Sequence, residues 1–228
     1  MPRLLFDKKF YFFVECEGLT EQAYIDFLKN EFKDVATFRY PKNPGTTHLF
    51  QDAEARLKKD PVFKNQVETI DEIWLFFDVE DQDWDKWNAR WATISRLRKL
   101  RGGRKGIPVR LLMTSGCLEY WFLLHYENVC QQVHEKQEKA AILERLRKHV
   151  PIYTKGQKES IAQIAQNYQA AILRGEQTIK ALKDKGIPEL EDTDDRNCWL
   201  LQHSRDITFT TVHEAVQFLE GLRKKQQK

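Results

Sequence analysis

The sequence predicts a Rossmann-like α/β fold: a mainly parallel sheet flanked by helices, with helical additions toward the carboxyl end. Three observations predict it. The runs "FYFFVEC" (10–16), "EIWLFFD" (72–78) and "VRLLMTS" (109–115) have strand length and are almost continuously apolar, as strands covered on both faces are. Segments with helical spacing separate them, and that alternation builds right-handed βαβ units. From about residue 135 only helical patterns remain. The expected organisation is an α/β core over residues 8–134, with a helical extension, 135–228, packed on it.

Each element follows in order. "GLT" breaks the first strand, and Ala23, Tyr24, Phe27, Leu28 and Phe32 then recur at helical spacing. "ATFRY" is a second short strand, "KNPG" a loop, and "HLFQDAEARLKK" a helix ending before Pro61. The acidic loop "VEDQD" leaves the strand at 72–78. Trp84, Trp87, Trp91, Ile94 and Leu97 mark one face of the next helix, which "GGRKGIP" stops. After the strand at 109–115 comes a nearly all-apolar helix, "GCLEYWFLLHY". A long helical pattern runs from Gln157 to about Lys185, "KGIPELEDTDDR" is a polar connection, and "TTVHEAVQFLEGL" is the closing helix.

Composition bounds the function only loosely. The chain has 228 residues, which suits one domain that buries a real core. No apolar run is long enough to span a bilayer, and "MPRLLFDKKF" lacks the apolar region of a secretory signal. A cytoplasmic protein is expected. The net charge of +3, from 37 basic and 34 acidic residues, neither demands nor excludes nucleic acid. Cys16, Cys117, Cys130 and Cys198 form no CxxC pair, so neither a zinc site nor a disulfide frame is expected.

The acids carry more information. Ligand sites in open α/β sheets lie beyond the carboxyl ends of the strands. Glu17 and Glu21 follow the first strand, Asp78, Glu80 and Asp81 end the one at 72–78, and Glu119 follows the last. If the chain stays extended past Asp78, then Asp78 and Glu80 point to one side. Carboxylates gathered from adjacent strand ends repel one another unless cations offset them, and all-oxygen donors select Mg2+ or Mn2+. The plainer reading is that helix dipoles favour Glu21 and Glu119 in first turns and that the acidic loop is merely solvated. Glu15, facing opposite to Cys16, reads as a supporting residue. Gly18 permits a tight turn from strand into helix.

"FVECEGLTEQAY", "WLFFDVEDQD" and "TSGCLEYWFLLHYE", in that order, resemble the RloB-like proteins, a branch of the TOPRIM superfamily akin to the nuclease domains of OLD proteins. The matching positions are Glu17, Gly18, Thr20, Glu21 and Tyr24; then Asp78, Glu80 and Asp81; then Ser115, Cys117, Glu119, Trp121 and His125. Glu80 stands where the family usually has aspartate, and Gly116 replaces a short Asn-Pro. "YTKG" (153–156) and the terminal "TTVHEAVQFL" also resemble family elements.

The resemblance implies a TOPRIM fold, a metal-dependent phosphoryl-transfer site and a role in prokaryotic defence beside an AAA or ABC-type ATPase. Glu17 and Asp78 are then expected as the main metal ligands. Glu21 and Glu80 complete the shell or serve a second ion, Asp81 assists, and Glu119 ligates or orients water. Lys155 is either a stabiliser of transition-state charge or a solvated loop lysine. His125 reads as a core histidine. Arg96, Arg98, Lys99, Arg101, Arg104 and Lys105 form the densest basic stretch, for phosphate contact or simply as a helix C-terminus favouring cations. Trp84, Trp87 and Trp91 read as core before they read as base-stacking platforms. The expected function is a metal-dependent nuclease acting on DNA or RNA. The alternative is a catalytically silent binding or regulatory subunit of an ATPase-containing complex.

Overall fold

The computed structural model describes residues 8–44, 48–80, 85–101, 106–129, 131–188 and 194–227. Strand β1 (Phe10–Cys16) leads into helix α1 (Leu19–Glu31) and strand β2 (Ala36–Arg39). Helices α2 (Leu49–Lys59) and α3 (Pro61–Lys64) precede β3 (Glu72–Val79), and α4 (Trp87–Arg98) precedes β4 (Val109–Ser115). Then follow α5 (Leu118–Leu123), α6 (Lys136–His149), α7 (Lys158–Ala165), α8 (Tyr168–Lys180), α9 (Asp194–Gln202) and α10 (Val212–Gln226).

The four strands form one all-parallel sheet in the order β2-β1-β3-β4. The expected Rossmann-like sheet flanked by helices is therefore present. From β1 the chain moves outward to β2, then crosses to the other side of β1 to make β3 and β4. The order reverses between β1 and β3, and the crevice beyond the strand ends at such a reversal is the usual ligand position.

Alternate residues feed two cores, because side chains in a strand alternate between faces. Phe12, Val14, Trp74, Phe76 and Leu112 join α1, α5, α6, α7, α8 and α10 on one face. Phe13, Ile73, Leu75, Phe77, Leu111 and Met113 join α2, α4 and α9 on the other. Each such large apolar side chain contributes about 1.5–3 kcal/mol on burial. Both cores draw on residues from either side of position 135, so the helical extension completes the two layers. An isolated bridge from Thr210 to Thr114 runs antiparallel alongside β4, and the Thr211 hydroxyl donates to Leu111 O at 2.8 Å.

Several helices differ from their sequence pattern. The long helix expected from Gln157 to Lys185 is α7 and α8, broken at Gln166–Asn167. The break lets α7 pack on α1 while α8 packs on α10. The apolar helix expected over 116–126 is only Leu118–Leu123, because its last turn tightens through His125 N–H to Phe122 O and Tyr126 N–H to Leu123 O. Pro61 opens the one-turn helix α3 rather than only ending α2, and the Asp60 carboxylate caps it by accepting from Val62 N–H at 2.9 Å. The end of the expected polar connection is the start of α9, whose buried Arg196 is ion-paired with Glu214 of α10. Among the described residues no helix is long and apolar enough to cross a membrane.

Candidate functional site

Glu17 follows β1 directly. Its N–H donates to Phe76 O of β3 at 3.0 Å, which continues the β1–β3 ladder one residue past the strand. Its carboxylate turns across the crevice and accepts from Asp78 N–H at 3.0 Å. Asp78, near the end of β3, lies opposite Thr114 of β4. Glu21 comes in from the first turn of α1 and is buried. Glu119 comes from α5, also buried.

Gly18 has an extended backbone (φ −142°) that any residue could adopt. The turn does not require glycine for its dihedrals, contrary to the sequence expectation. Space is the constraint instead: a Cβ there would lie 2.9 Å from Glu21 Oε2. Gly116 is different. Its φ is +70°, and a Cβ would lie 2.0 Å from Val133 O. Only glycine fits that turn, which carries β4 into α5 and so aims Glu119.

The charges are mutually felt. Burial, opposed by backbone hydrogen bonds and reinforced by the Glu17 and Glu119 carboxylates, pushes Glu21 up to about 7. Burial, with Glu21, Glu17 and Glu119 beside it, pushes Asp78 well above the carboxylate range, while Lys155 acts in the opposite sense. Asp78 Oδ1 is withdrawn from solvent and has no hydrogen-bond partner among the described residues. Glu119 is held: Tyr153 Oη donates to its Oε1 at 2.8 Å, and Lys155 Nζ lies 3.0 Å from Oε1 and 3.2 Å from Oε2. Lys155 keeps 62% of its side chain exposed at the mouth of the cluster. The Cys117 thiol is pushed up by burial and by Glu119 and Asp78, so it stays protonated.

The structure thus brings Glu17, Glu21, Asp78, Glu119 and Lys155 together. It does not bring Glu80 to them. Glu80 is exposed and reaches Lys139 of α6 at 3.3 Å, and β3 ends at Val79, one residue before it. Asp81, Trp84, Arg104, Lys105 and Cys130 lie outside the described residues.

The rest of the basic stretch lies elsewhere. α4 ends at the amino-terminal edge of the sheet, where Ile107 N–H donates to Arg98 O and Arg101 donates to Ile70 O just before β3. That edge is about 20 Å from Asp78, taking ~3.3 Å per residue along β3. Arg98 is bidentate to Asp194 at 2.7 and 2.8 Å, and Lys99 is exposed. Arg98 and Arg101 therefore serve packing partners at the far edge from the carboxylates. Trp87 is buried and tilted against Trp91, as a core pair. His125 is buried, donates through Nδ1–H to Trp121 O at 3.0 Å, and is pushed down to about 4 by burial, which keeps it neutral. Glu15, fully buried on the opposite face of β1, pairs with Arg56 of α2 at 3.2 Å. Sequence reasoning gave Tyr153 no role; the signal available was its place in the same short motif, two residues before Lys155.

The residues present fit a hard divalent cation: the donors are all carboxylate oxygens, buried or half-buried and crowded, and Asp78 Oδ1 lacks a hydrogen-bond partner among the described residues. Glu17, Glu21, Asp78 and Glu119 would hold it. Among the described residues no three Asp, Glu, His or Cys side chains are already drawn to ligating geometry, as the alternative partners of Glu17 and Glu119 account for. No curated protein and no solved structure matches the chain. A family model does match, over residues 12–219, from within β1 to within α10, and so includes the elements that build and frame this crevice. The chain belongs to the RloB-like protein family.

Proposed function

We propose that this protein is a metal-dependent nuclease that hydrolyses DNA or RNA phosphodiesters at the carboxylate crevice, using Mg2+ or Mn2+. The observation that carries this reading is the convergence of Glu17, Glu21, Asp78 and Glu119 at the point where the strand order reverses, with a buried Asp78 oxygen that lacks a hydrogen-bond partner. A divalent cation bound there would offset phosphate charge and lower the pKa of a water nucleophile. The chain's own groups do the rest. Asp78 and Glu21 would supply negative charge to a bound cation, which would favour their ionised forms, and the Asp78 N–H fixes the Glu17 carboxylate. Tyr153 and Lys155 orient Glu119 from outside. The exposed Lys155 is the cation best placed to meet a substrate phosphate. The resemblance to TOPRIM nucleases supports the same chemistry, and the family's setting supports a role in prokaryotic anti-phage defence with an AAA or ABC-type ATPase.

The test is incubation of the purified protein with plasmid, single-stranded DNA and tRNA, with and without Mn2+, alone and with the ATPase encoded beside it. Glu17→Gln and Asp78→Asn should each lower cleavage by more than the roughly 10–100-fold typical of a metal ligand's outer partners, with a melting temperature no lower than wild type's, since each removes charge from the crowded cluster. Full activity in both variants would sink the assignment. No cleavage under any condition would instead favour the silent regulatory subunit.

A further inference from the structure

A second cleft lies between α8, the end of α5, residues 128–129 and 131–132, and the loop at 206–208, with a volume of about 430 Å³. None of the clustered carboxylates borders it. Its size falls in the range of about 300–1,000 Å³ usual for small-molecule sites. The floor is apolar, made by the buried side chains of Leu124, Val129, Leu182 and Ile207. Around it stand four carboxamides: Asn128, Gln131, Gln132 and Gln177. Gln131 Oε1 already accepts from Arg145 at 2.6 Å, which leaves its amide nitrogen as a donor. Two cations, Arg174 and Lys185, face one acid, Asp206. Arg174 uses one N–H to hold Leu124 O at 2.7 Å, and a guanidinium has further donors to offer.

We propose that this cleft binds a nucleotide. A flat heterocycle needs an apolar floor and neighbours able both to donate to and accept from its edge; carboxamides do both. Its phosphate needs a local excess of positive charge, which Arg174 and Lys185 provide over Asp206. The cleft walls are also tied to the turn that aims Glu119. Tyr120, next to Glu119 on α5, lines the cleft. Thr208 lines it too: its hydroxyl accepts from Val133 N–H at 3.2 Å, and Val133 O closes over Gly116. Phe209 accepts from Ser115 N–H at 3.0 Å and donates back to Ser115 Oγ at 2.9 Å. A bound nucleotide pressing on Tyr120 and Thr208 shifts the Ser115–Glu119 turn and so regulates the carboxylate crevice. This regulatory role rests on the nuclease reading, whereas the binding does not.

Calorimetry on the full chain with AMP, GMP, ATP, GTP and inorganic phosphate separates the two. At least one nucleotide should bind in the micromolar range, more tightly than inorganic phosphate. Lys185→Glu, at an exposed position, should weaken it about tenfold or more, and Ala181→Trp, which fills the cleft, should abolish it. Glu17→Gln should leave it intact. Binding that survives both cleft variants, or that is lost in Glu17→Gln, overturns the site. So does the absence of binding by folded protein up to about 1 mM. The coupling is read without nuclease activity: ligand should alter backbone hydrogen exchange over residues 115–120, and unchanged exchange with bound nucleotide overturns it.

Discussion

Replacing Glu21 with glutamine should make the protein more stable above pH 7. The folded protein holds this carboxyl at about 7, against an ordinary 4.5, because it is buried beside Glu17 and Glu119. Below pH 4.5 it is protonated in both folded and unfolded chains and costs nothing. As the pH rises from 4.5 to 7 the unfolded chain ionises first, so the folded state loses stability with each unit. Above pH 7 the loss is complete. A difference of about 2.5 units at ~1.4 kcal/mol per unit gives about 3 kcal/mol. In a chain of this size that corresponds to roughly 6–12 °C in melting temperature. Glutamine keeps an acceptor for the backbone N–H groups at the start of α1 while removing the charge. Urea unfolding at pH 4.5, 6 and 8 measures the effect. The variant should match wild type at pH 4.5 and exceed it by about 3 kcal/mol at pH 8. Mg2+ or Mn2+ should also raise the wild-type melting temperature more than the variant's. A variant no more stable than wild type at pH 8, or one equally shifted at pH 4.5, would show that burial and neighbouring charge do not set this group.

Other outcomes follow from named contacts. Tyr153→Phe removes the hydroxyl that holds Glu119 and should cut cleavage by about 10–100-fold with a melting temperature close to wild type; an unchanged rate would remove Tyr153 from the site. Gly116→Ala must adopt φ +70° and meet Val133 O, so urea titration should show a loss of about 3 kcal/mol or more. Arg98→Ala should lose about 0.2–1 kcal/mol, since its pair with Asp194 is partly exposed, and should leave the salt dependence of nucleic-acid binding alone. A slope reduced by about one unit would restore Arg98 as a phosphate contact.

The strands were readable because burial on both faces writes itself as a continuous apolar run, and β1 and β4 match their runs residue for residue. The carboxylates were readable because a parallel sheet gathers the carboxyl ends of all its strands at one edge. What lay beyond reach were partners distant in sequence. Nothing near Glu80 announces its contact with Lys139, 59 residues away. Nothing near Arg98 announces Asp194. The break at Gln166–Asn167 was hidden because apolar spacing runs on through it, and the two halves separate only because they pack on different helices.

The tie between Phe209 and Ser115 has a consequence for timing. A chain leaves the ribosome amino end first, so Glu17, Asp78 and Glu119 are all made long before Phe209. Until residues 209 and 210 have been made, the turn at Gly116 lacks its clamp and Thr114 its bridging neighbour. The crevice reaches its final geometry only after that segment has docked, so a chain cut before Phe209 carries every acid of the site without the arrangement that makes them one.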